Sequence, residues 1–269
     1  MSSKTVLITG AGSGFGEAAA LGLAQRGHPI IATAQISPQV AALRRKVDAL
    51  GLSDRMRVEK LDLLDPYDLR HALQWDCDVL WSNAGIGESG PVSEIPLDLV
   101  RRNYEVNVFK PLELVQGVVR RWISKGKAGK VVFTSSMGGL FTPPGWGTYV
   151  SSKHVLESIA EALQQELAPH RIKVQTINPG AYLTGYNETM ADTAFRWLEE
   201  GSHFTSAAVL RETFDDMLGQ PEGQLDPQEM IDRIIEIVPS DTGKFRNVCP
   251  AFVEEMLKRS QHEAWHRTI

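Results

Sequence analysis

Cysteine is scarce in this chain. Cys77 and Cys249 are its two cysteines in 269 residues, too few for the disulfide framework of small secreted domains. An excess of positive charge is also missing. Against 33 Asp and Glu stand 28 Lys and Arg, a formal net charge of −5. That argues against a nucleic-acid partner, because a phosphate backbone selects a basic surface. No apolar run approaches the roughly 20 residues that span a bilayer. The opening stretch "MSSKTVLITG" lacks a signal-peptide pattern. The expectation is a cytoplasmic protein with no membrane partner, in which the sequon Asn187-Glu188-Thr189 carries no glycan. No G-x-S-x-G elbow surrounds Ser135 or Ser136, so a hydrolase is not indicated. "HEAWH", His262 to His266, matches a zinc-protease pattern. It sits near the end of the chain without an evident third ligand, so no metal is expected.

What the chain does have is alternation. "TVLITG", "HPIIATA", "MRVEKLDL", "CDVLWSNAG", "KVVFTSS" and "IKVQTINPG" are short β-branched or apolar runs that read as buried strands. Helix-forming stretches separate them. Glu17 to Arg26 ends at Gly27, a C-cap signal, and Leu97 to Lys125 carries Pro111, which predicts a kink. Such alternation predicts right-handed βαβ units, a doubly wound parallel sheet and a three-layer α/β/α fold. Residues 181–225 are aromatic-rich and lack a strand, and read as a substrate lid within a single domain spanning 1–269. Asp226 is expected to cap a helix running to Val238, and "GKFRNVCP" reads as a last short strand.

The stretch from the first strand into the first helix is "TGAGSGFG", Thr9 to Gly16. Glycines there allow a tight turn and close approach of a pyrophosphate to a helix N-terminus. "TYVSSK" places Tyr149 and Lys153 at i, i+4, one helical turn apart. A cation there favours phenolate and predicts a lowered tyrosine pKa.

Gly10-x-x-x-Gly14-x-Gly16, Asn83-Ala84-Gly85, Asn107, Ser136 and Tyr149-x-x-x-Lys153, in that order and spacing, resemble the short-chain dehydrogenase/reductase family. The resemblance covers nearly the whole chain to Gly180. It implies a nicotinamide-binding Rossmann fold and hydride transfer between NAD(P)(H) and alcohols or carbonyls. On that resemblance Tyr149 is the general acid–base. Lys153 lowers its pKa and holds the nicotinamide ribose. Ser136 positions the carbonyl oxygen, and Asn107 holds a water of a proton relay. Asn103 reads as an ordinary surface helix residue.

The implied cofactor cradle comprises Gly10, Ser13, Gly14, Phe15, Gly16, Gln35, Asp62, Asn83, Ala84 and Gly85, with Pro179, Gly180, Leu183 and Thr184 beside the carboxamide. Two positions depart from the family pattern. Ser82 precedes Asn83-Ala84-Gly85 where an Asn is usual, which removes one supporting hydrogen bond. Strand two ends at Ala34, where NAD enzymes place an acid for the ribose 2′-OH. This favours NADP(H), with NAD(H) as the other choice, and Gln35, Ser37, Arg44 or Arg45 near the 2′-phosphate. Candidate substrate walls are Met137, Phe141, Trp146, Tyr182 and Tyr186, implying a hydrophobic or aromatic alcohol or ketone. Phe195, Phe214 and Met217 read as the lid's own core. Alternatives are a cofactor-binding regulator without turnover, and an epimerase or dehydratase. The family's assembly through its two long helices implies a homodimer or homotetramer.

Overall fold

The computed structural model describes residues 3–268. Seven strands form one parallel sheet in the order β3-β2-β1-β4-β5-β6-β7. They are β1 (Val6–Ile8), β2 (Ile30–Ala34), β3 (Met56–Lys60), β4 (Val79–Ser82), β5 (Gly129–Thr134), β6 (Ile172–Pro179) and β7 (Arg246–Cys249). The helices are α1 (Gly14–Gln25), α2 (Ser37–Ala49), α3 (Pro66–Ala72), α4 (Leu97–Tyr104), α5 (Lys110–Ser124), α6 (Gly147–Glu166), α7 (Tyr186–Ala191), α8 (Ala207–Gly219), α9 (Pro227–Ile237) and α10 (Ala251–Ala264). Each expected strand is present, including the short last one.

Side chains alternate across the sheet because successive Cβ atoms leave a strand on opposite faces. Val6, Ile8, Val79, Trp81 and Val132 pack with α1, α2 and α9 on one face. Leu7, Leu80, Val131 and Phe133 pack with α3, α5 and α6 on the other. This is the three-layer α/β/α arrangement. Strand order reverses between β1 and β4, whose neighbours are paired in register as Ile8↔Trp81. In open α/β sheets ligands enter beyond the carboxyl ends of the strands at such a switch point.

Two local features bear on the site. The long helical stretch over 97–124 is continuous, but residues Glu105–Phe109 are wound as one wider π turn. Pro111 follows directly. It has no N–H to give the carbonyl of Asn107, and its ring crowds that residue. The distortion expected at Pro111 is therefore taken up by the turn before it, which contains Asn107. Beyond β6, α7 and α8 pack on a separate apolar cluster with Trp146, Tyr149, Val150 and Phe214. Phe195 and Met217 lie against the same cluster, as the lid-core reading expects. Asp226 caps α9, accepting from the Gln228 N–H at 2.9 Å. No helix among the described residues is long and apolar enough to cross a membrane.

Lys130, on β5, is 2 % exposed. Its Nζ donates to the carbonyls of Ile237 at 2.6 Å and Ser240 at 2.7 Å, tying β5 to the end of α9. Burial pushes its pKa down to about 7, with Lys4 and Lys173 pushing the same way and Asp241 opposing. In the unfolded chain the group titrates near its ordinary value, so the unfolded state binds more protons between those limits. Stability therefore rises with pH from about 7 upward, by at most about 1.4 kcal/mol per pH unit from this group. Urea unfolding at several pH values should show wild type gaining on Lys130→Met as pH rises from 7 to 9. A gap that is constant or shrinks over that range contradicts a depressed Lys130.

Candidate active site

A cavity of about 740 Å³ opens at the carboxyl ends of the strands, from the glycine turn to Tyr149 and Lys153. One end is the turn from β1 into α1. Gly10 has φ +70° and Gly14 φ +55°, conformations that L side chains rarely adopt. A Cβ on Gly16 would collide with the carbonyl oxygen of Gly10 and approach Asn83 Nδ2 to 2.6 Å, whereas a Cβ on Gly14 would meet nothing within 4 Å. Ser13 precedes α1 without a side-chain cap. The first-turn N–H groups of the helix thus lack the partners that a capping side chain would supply.

Asn83 joins this turn to the next strand. Its Nδ2 donates to the carbonyls of Thr9 at 3.2 Å and Gly10 at 3.0 Å. The Thr9 hydroxyl accepts from the N–H groups of Asn83 and Ala84 at 2.9 and 3.0 Å. Thr134 Oγ1 donates to Asn83 Oδ1 at 3.0 Å and accepts from Trp81 Nε1 at 2.8 Å. With Ser82 in place of the usual Asn, Asn83 is still held on three sides.

The other end is built on α6. Tyr149, Lys153 and Glu157 follow at i, i+4 and i+8, so they share one helix face. They are 8 %, 4 % and 3 % exposed. Lys153 Nζ donates to the carbonyl of Thr134 at 2.9 Å and lies 5.6 Å from the centre of the Tyr149 ring. Behind it Glu157 accepts from Asn178 Nδ2 at 2.6 Å and pairs with Arg246 Nε at 2.9 Å.

The electrostatics differ from the sequence expectation. Burial raises the Tyr149 phenol to about 12, opposed by the hydroxyls of Ser136 and Tyr186. Lys153 is not among its causes. Burial also pushes Lys153 down, to about 8, against the pull of Glu157. The expected lowering of Tyr149 by Lys153 is thus corrected: in the protein by itself, desolvation of the phenol wins. Ionising Tyr149 at pH 7 then costs about 7 kcal/mol, from five pH units at roughly 1.4 kcal/mol each.

Ser136 Oγ accepts from the Gly138 N–H at 3.0 Å, which fixes the hydroxyl oxygen near Tyr149. Neighbouring Ser135 is buried and its Oγ has no hydrogen-bond partner. Its Oγ lies toward Gly139 and Glu157, although Ser135 also borders the cavity. Asn107 does not line the cavity. Its side chain clasps Ile86, donating to the carbonyl at 2.8 Å and accepting from the N–H at 2.9 Å, and donates to Ser152 Oγ at 3.0 Å. The surface reading of Asn103 is wrong. It is fully buried, because its amide donates to Ser152 Oγ at 3.0 Å and to the carbonyl of Thr148.

Gly10, Ser13, Gly14, Phe15, Gly16, Gln35, Asp62, Asn83, Ala84, Gly85, Pro179, Gly180 and Thr184 all line the cavity. Leu183 does not; it is 48 % exposed, with its N–H bonded to the Leu225 carbonyl. Met137, Phe141 and Trp146 are also absent from the cavity wall. Trp146 is turned into the lid cluster, 4.7 Å from the Phe214 ring. Tyr182 lines the cavity beneath the cradle. Its ring meets Phe15 at 5.6 Å and its hydroxyl donates to Cys249 Sγ at 3.2 Å. Tyr186 stands beside Tyr149, with ring centres 5.9 Å apart.

Sequence reasoning missed Gln39, Glu88, Arg102, Thr193 and Arg196 in the cavity wall. No motif marks them, since they come from loop and helix positions that only the fold brings inward. Arg44 is occupied with the Val58 carbonyl at 2.7 Å, and neither Arg45 nor Ser37 lines the cavity. The expected helpers for a 2′-phosphate are therefore elsewhere. Gln35 Nε2 donates to Asp62 at 3.3 Å. His262 and His266 are exposed, and no group of three metal-ligating side chains is assembled among the described residues.

The uncapped helix start, the open space over Gly14 and the steric need for Gly16 fit a dinucleotide pyrophosphate. Gly14 to Gly16 would hold it, Asp62 the adenine end, and Tyr149 and Lys153 the nicotinamide end. The bound cofactor would supply or accept the hydride.

The short chain dehydrogenase family model matches residues 4–194. An uncharacterized oxidoreductase, YusZ, of Bacillus subtilis is 31 % identical over 242 residues, 88 % of this chain and 85 % of its own. A 3-ketodihydrosphingosine reductase of Bacteroides thetaiotaomicron is 30 % identical over 217 residues, 74 % of this chain and 76 % of its own. A solved short-chain dehydrogenase from Streptomyces avermitilis superimposes with a TM-score of 0.79 at 26 % identity, over 99 % of this chain and 94 % of that one. The chain belongs to the short-chain dehydrogenase family of nicotinamide-dependent oxidoreductases.

Glu157 is the carboxylate that favours the charged form of Lys153. Removing an opposite charge lowers a lysine pKa. In Glu157→Gln, Lys153 should deprotonate below its value of about 8, as read by NMR titration of reductively methylated lysines. An unchanged or higher value would show that Glu157 does not support the cation.

Proposed function

We propose that the protein interconverts a secondary alcohol and a ketone at Tyr149, with Ser136, Tyr149 and Lys153 as the catalytic set and Asn107 as a residue that positions them. One observation carries this reading: Ser136, Tyr149 and Lys153, from two elements, converge at one end of a cavity whose other end is a glycine turn at a helix start. Tyr149 is the only one of these groups that combines an exchangeable proton with burial beside a cation. With its phenol held up to about 12, it stands ready as the donor that protonates a developing alkoxide. In the oxidative direction it becomes a base only when further positive charge faces it. Ser136 orients the carbonyl oxygen. Lys153 holds positive charge beneath the phenol. Asn107 acts through Ile86 and Ser152, fixing the loop and helix around the pair.

NADP(H) is favoured over NAD(H), because β2 ends in Ala34 without a carboxylate to repel a 2′-phosphate, and the amides of Gln35 and Gln39 lie at that end of the cavity. The hydrophobic or aromatic substrate expected from sequence rested on Met137, Phe141, Trp146, Tyr182 and Tyr186. Tyr182 and Tyr186 line the cavity, but Met137, Phe141 and Trp146 do not, so an apolar substrate keeps only the two tyrosines in its support. Residues 181–225 act as a lid on a single domain, and α4, α5 and α6 supply the faces for a homodimer or homotetramer.

Tyr149→Phe should lower kcat/KM by about a hundredfold or more, measured as NADPH consumption across a ketone panel, with NADPH binding unchanged. Substantial residual activity removes Tyr149 from the mechanism. Binding of NADPH with no turnover of any ketone favours a silent regulator. Turnover of substrate without net cofactor conversion favours an epimerase or dehydratase. A higher kcat/KM with NADH than with NADPH reverses the cofactor preference.

A further inference from the structure

Ser136 and Tyr186 hydrogen-bond the Tyr149 hydroxyl, and Glu88 lies by Tyr186. Thr193 and Arg196 line the same cavity. Arg196 ends a short turn, Ala194–Arg196, that follows α7. A buried hydroxyl clamp fixes this turn to the loop after β4. The Ser89 N–H donates to Thr193 Oγ1 at 2.8 Å, Ser89 Oγ donates to the Ala191 carbonyl at 3.1 Å, and the Ala194 N–H donates to Ser89 Oγ at 3.2 Å. Ser89 and Ala194 are fully buried. Gly87 and Gly90 leave the space that Met190 and Trp197 fill. The backbone that carries Arg196 is therefore set relative to Tyr149.

The Arg196 side chain is exposed, and its guanidinium makes no hydrogen bond or ion pair among the described residues. Arg211, also in the lid, contrasts with it: Arg211 lies 3.5 Å from Asp192 and 3.8 Å from the Phe195 ring centre. From α4, Arg102 also lines the cavity; like Arg196 it is exposed and has no ion pair among the described residues. Glu88 is the acid at this end. It is 8 % exposed and faces Tyr186, whose phenol is held well above its ordinary value by burial, then by Tyr149 and Glu88. A guanidinium is always charged and offers a planar fork of donors that matches a carboxylate. Exposed, unpaired and lining the cavity that also holds Tyr149, Arg196 is available as an anchor for an oxyanion.

We propose that the substrate is an oxo acid, a ketone bearing a carboxylate, whose anionic end is held by Arg196 while its carbonyl oxygen lies at Ser136 and Tyr149. This deepens the alcohol–ketone reading above and rests on it. It also replaces an apolar substrate with a hydrophilic one.

The test uses 2-, 3-, 4- and 5-oxo carboxylates together with their methyl esters, which keep the carbon frame and lose the charge. In the wild-type protein with NADPH, the best acid should exceed its ester in kcat/KM by about tenfold or more, as a charge-assisted bidentate contact implies. Arg196→Gln should erase that gap through KM for the acid, leaving the esters and KM for NADPH unchanged. Arg211→Gln, which removes an equal charge already engaged elsewhere, should leave the gap in place. Calorimetric titration of the acids into wild type and Arg196→Gln reads the same contact without turnover. If the acids bind through Arg196 and no ketone is reduced, the enzymatic reading fails and the anion site stands. Esters reduced as well as acids, a gap that survives Arg196→Gln, or a gap equally lost in Arg211→Gln would each overturn the proposal.

Discussion

The site depends on the burial of one helix face. Tyr149, Lys153 and Glu157 lie along α6 with almost no solvent, and desolvation acts on the first two in opposite chemical senses. It holds the phenol protonated and weakens the hold of the amine on its proton. Left alone, both would be neutral in alkaline solution. Glu157 tips Lys153 toward the cation, while Ser136 and Tyr186 tip Tyr149 toward the anion. The pair is therefore poised by neighbours rather than by mutual attraction alone. Burial is what makes added charge effective here, because the same charge in water would be screened.

The parallel sheet makes this arrangement reachable. β1, β4 and β5 end side by side, and each contributes one polar group to a single network through Thr9, Asn83 and Thr134. Thr134 then gives its carbonyl to Lys153. A glycine turn at one end of the cavity is thus connected through side-chain and backbone bonds to the cation at the other. Asn103 of α4 and Asn107 of the π turn, joined through Ser152 of α6, support the same assembly and close it against Ile86. The missing Asn before Asn83 is tolerated because Thr9 and Thr134 carry the load that fixes the turn.

Much of this was legible in the sequence for physical reasons. Continuous apolar runs and capping residues mark the elements, since burial of both strand faces and the needs of each helix end constrain residue type. Glycine spacing and the Tyr149–Lys153 interval survive reading because helix and turn geometry are local. What did not read was set by long-range packing. Asn103 looks like a surface residue until α6 is brought against it. Trp146 is near Tyr149 in sequence, yet its ring faces Phe214 across the lid. Arg44 follows β2, but the carbonyl of Val58 claims it. Arg196 and Glu88 carry no motif, and only the Ser89–Thr193 clamp draws their segments to the cavity. The direction of the Tyr149 shift was misjudged for the same reason, because spacing reveals a nearby cation but not the loss of water.

The most direct measurement is the ionisation of Tyr149 itself. An ultraviolet difference titration of wild type against Tyr149→Phe, run without cofactor and then with saturating NADP+, isolates that phenol. The account predicts a transition above the ordinary tyrosine value, near about 12, in the free protein, moving to lower pH when the positively charged ring is present. A Tyr149 that already ionises below 10 in the free protein, or that does not shift on cofactor binding, would contradict it.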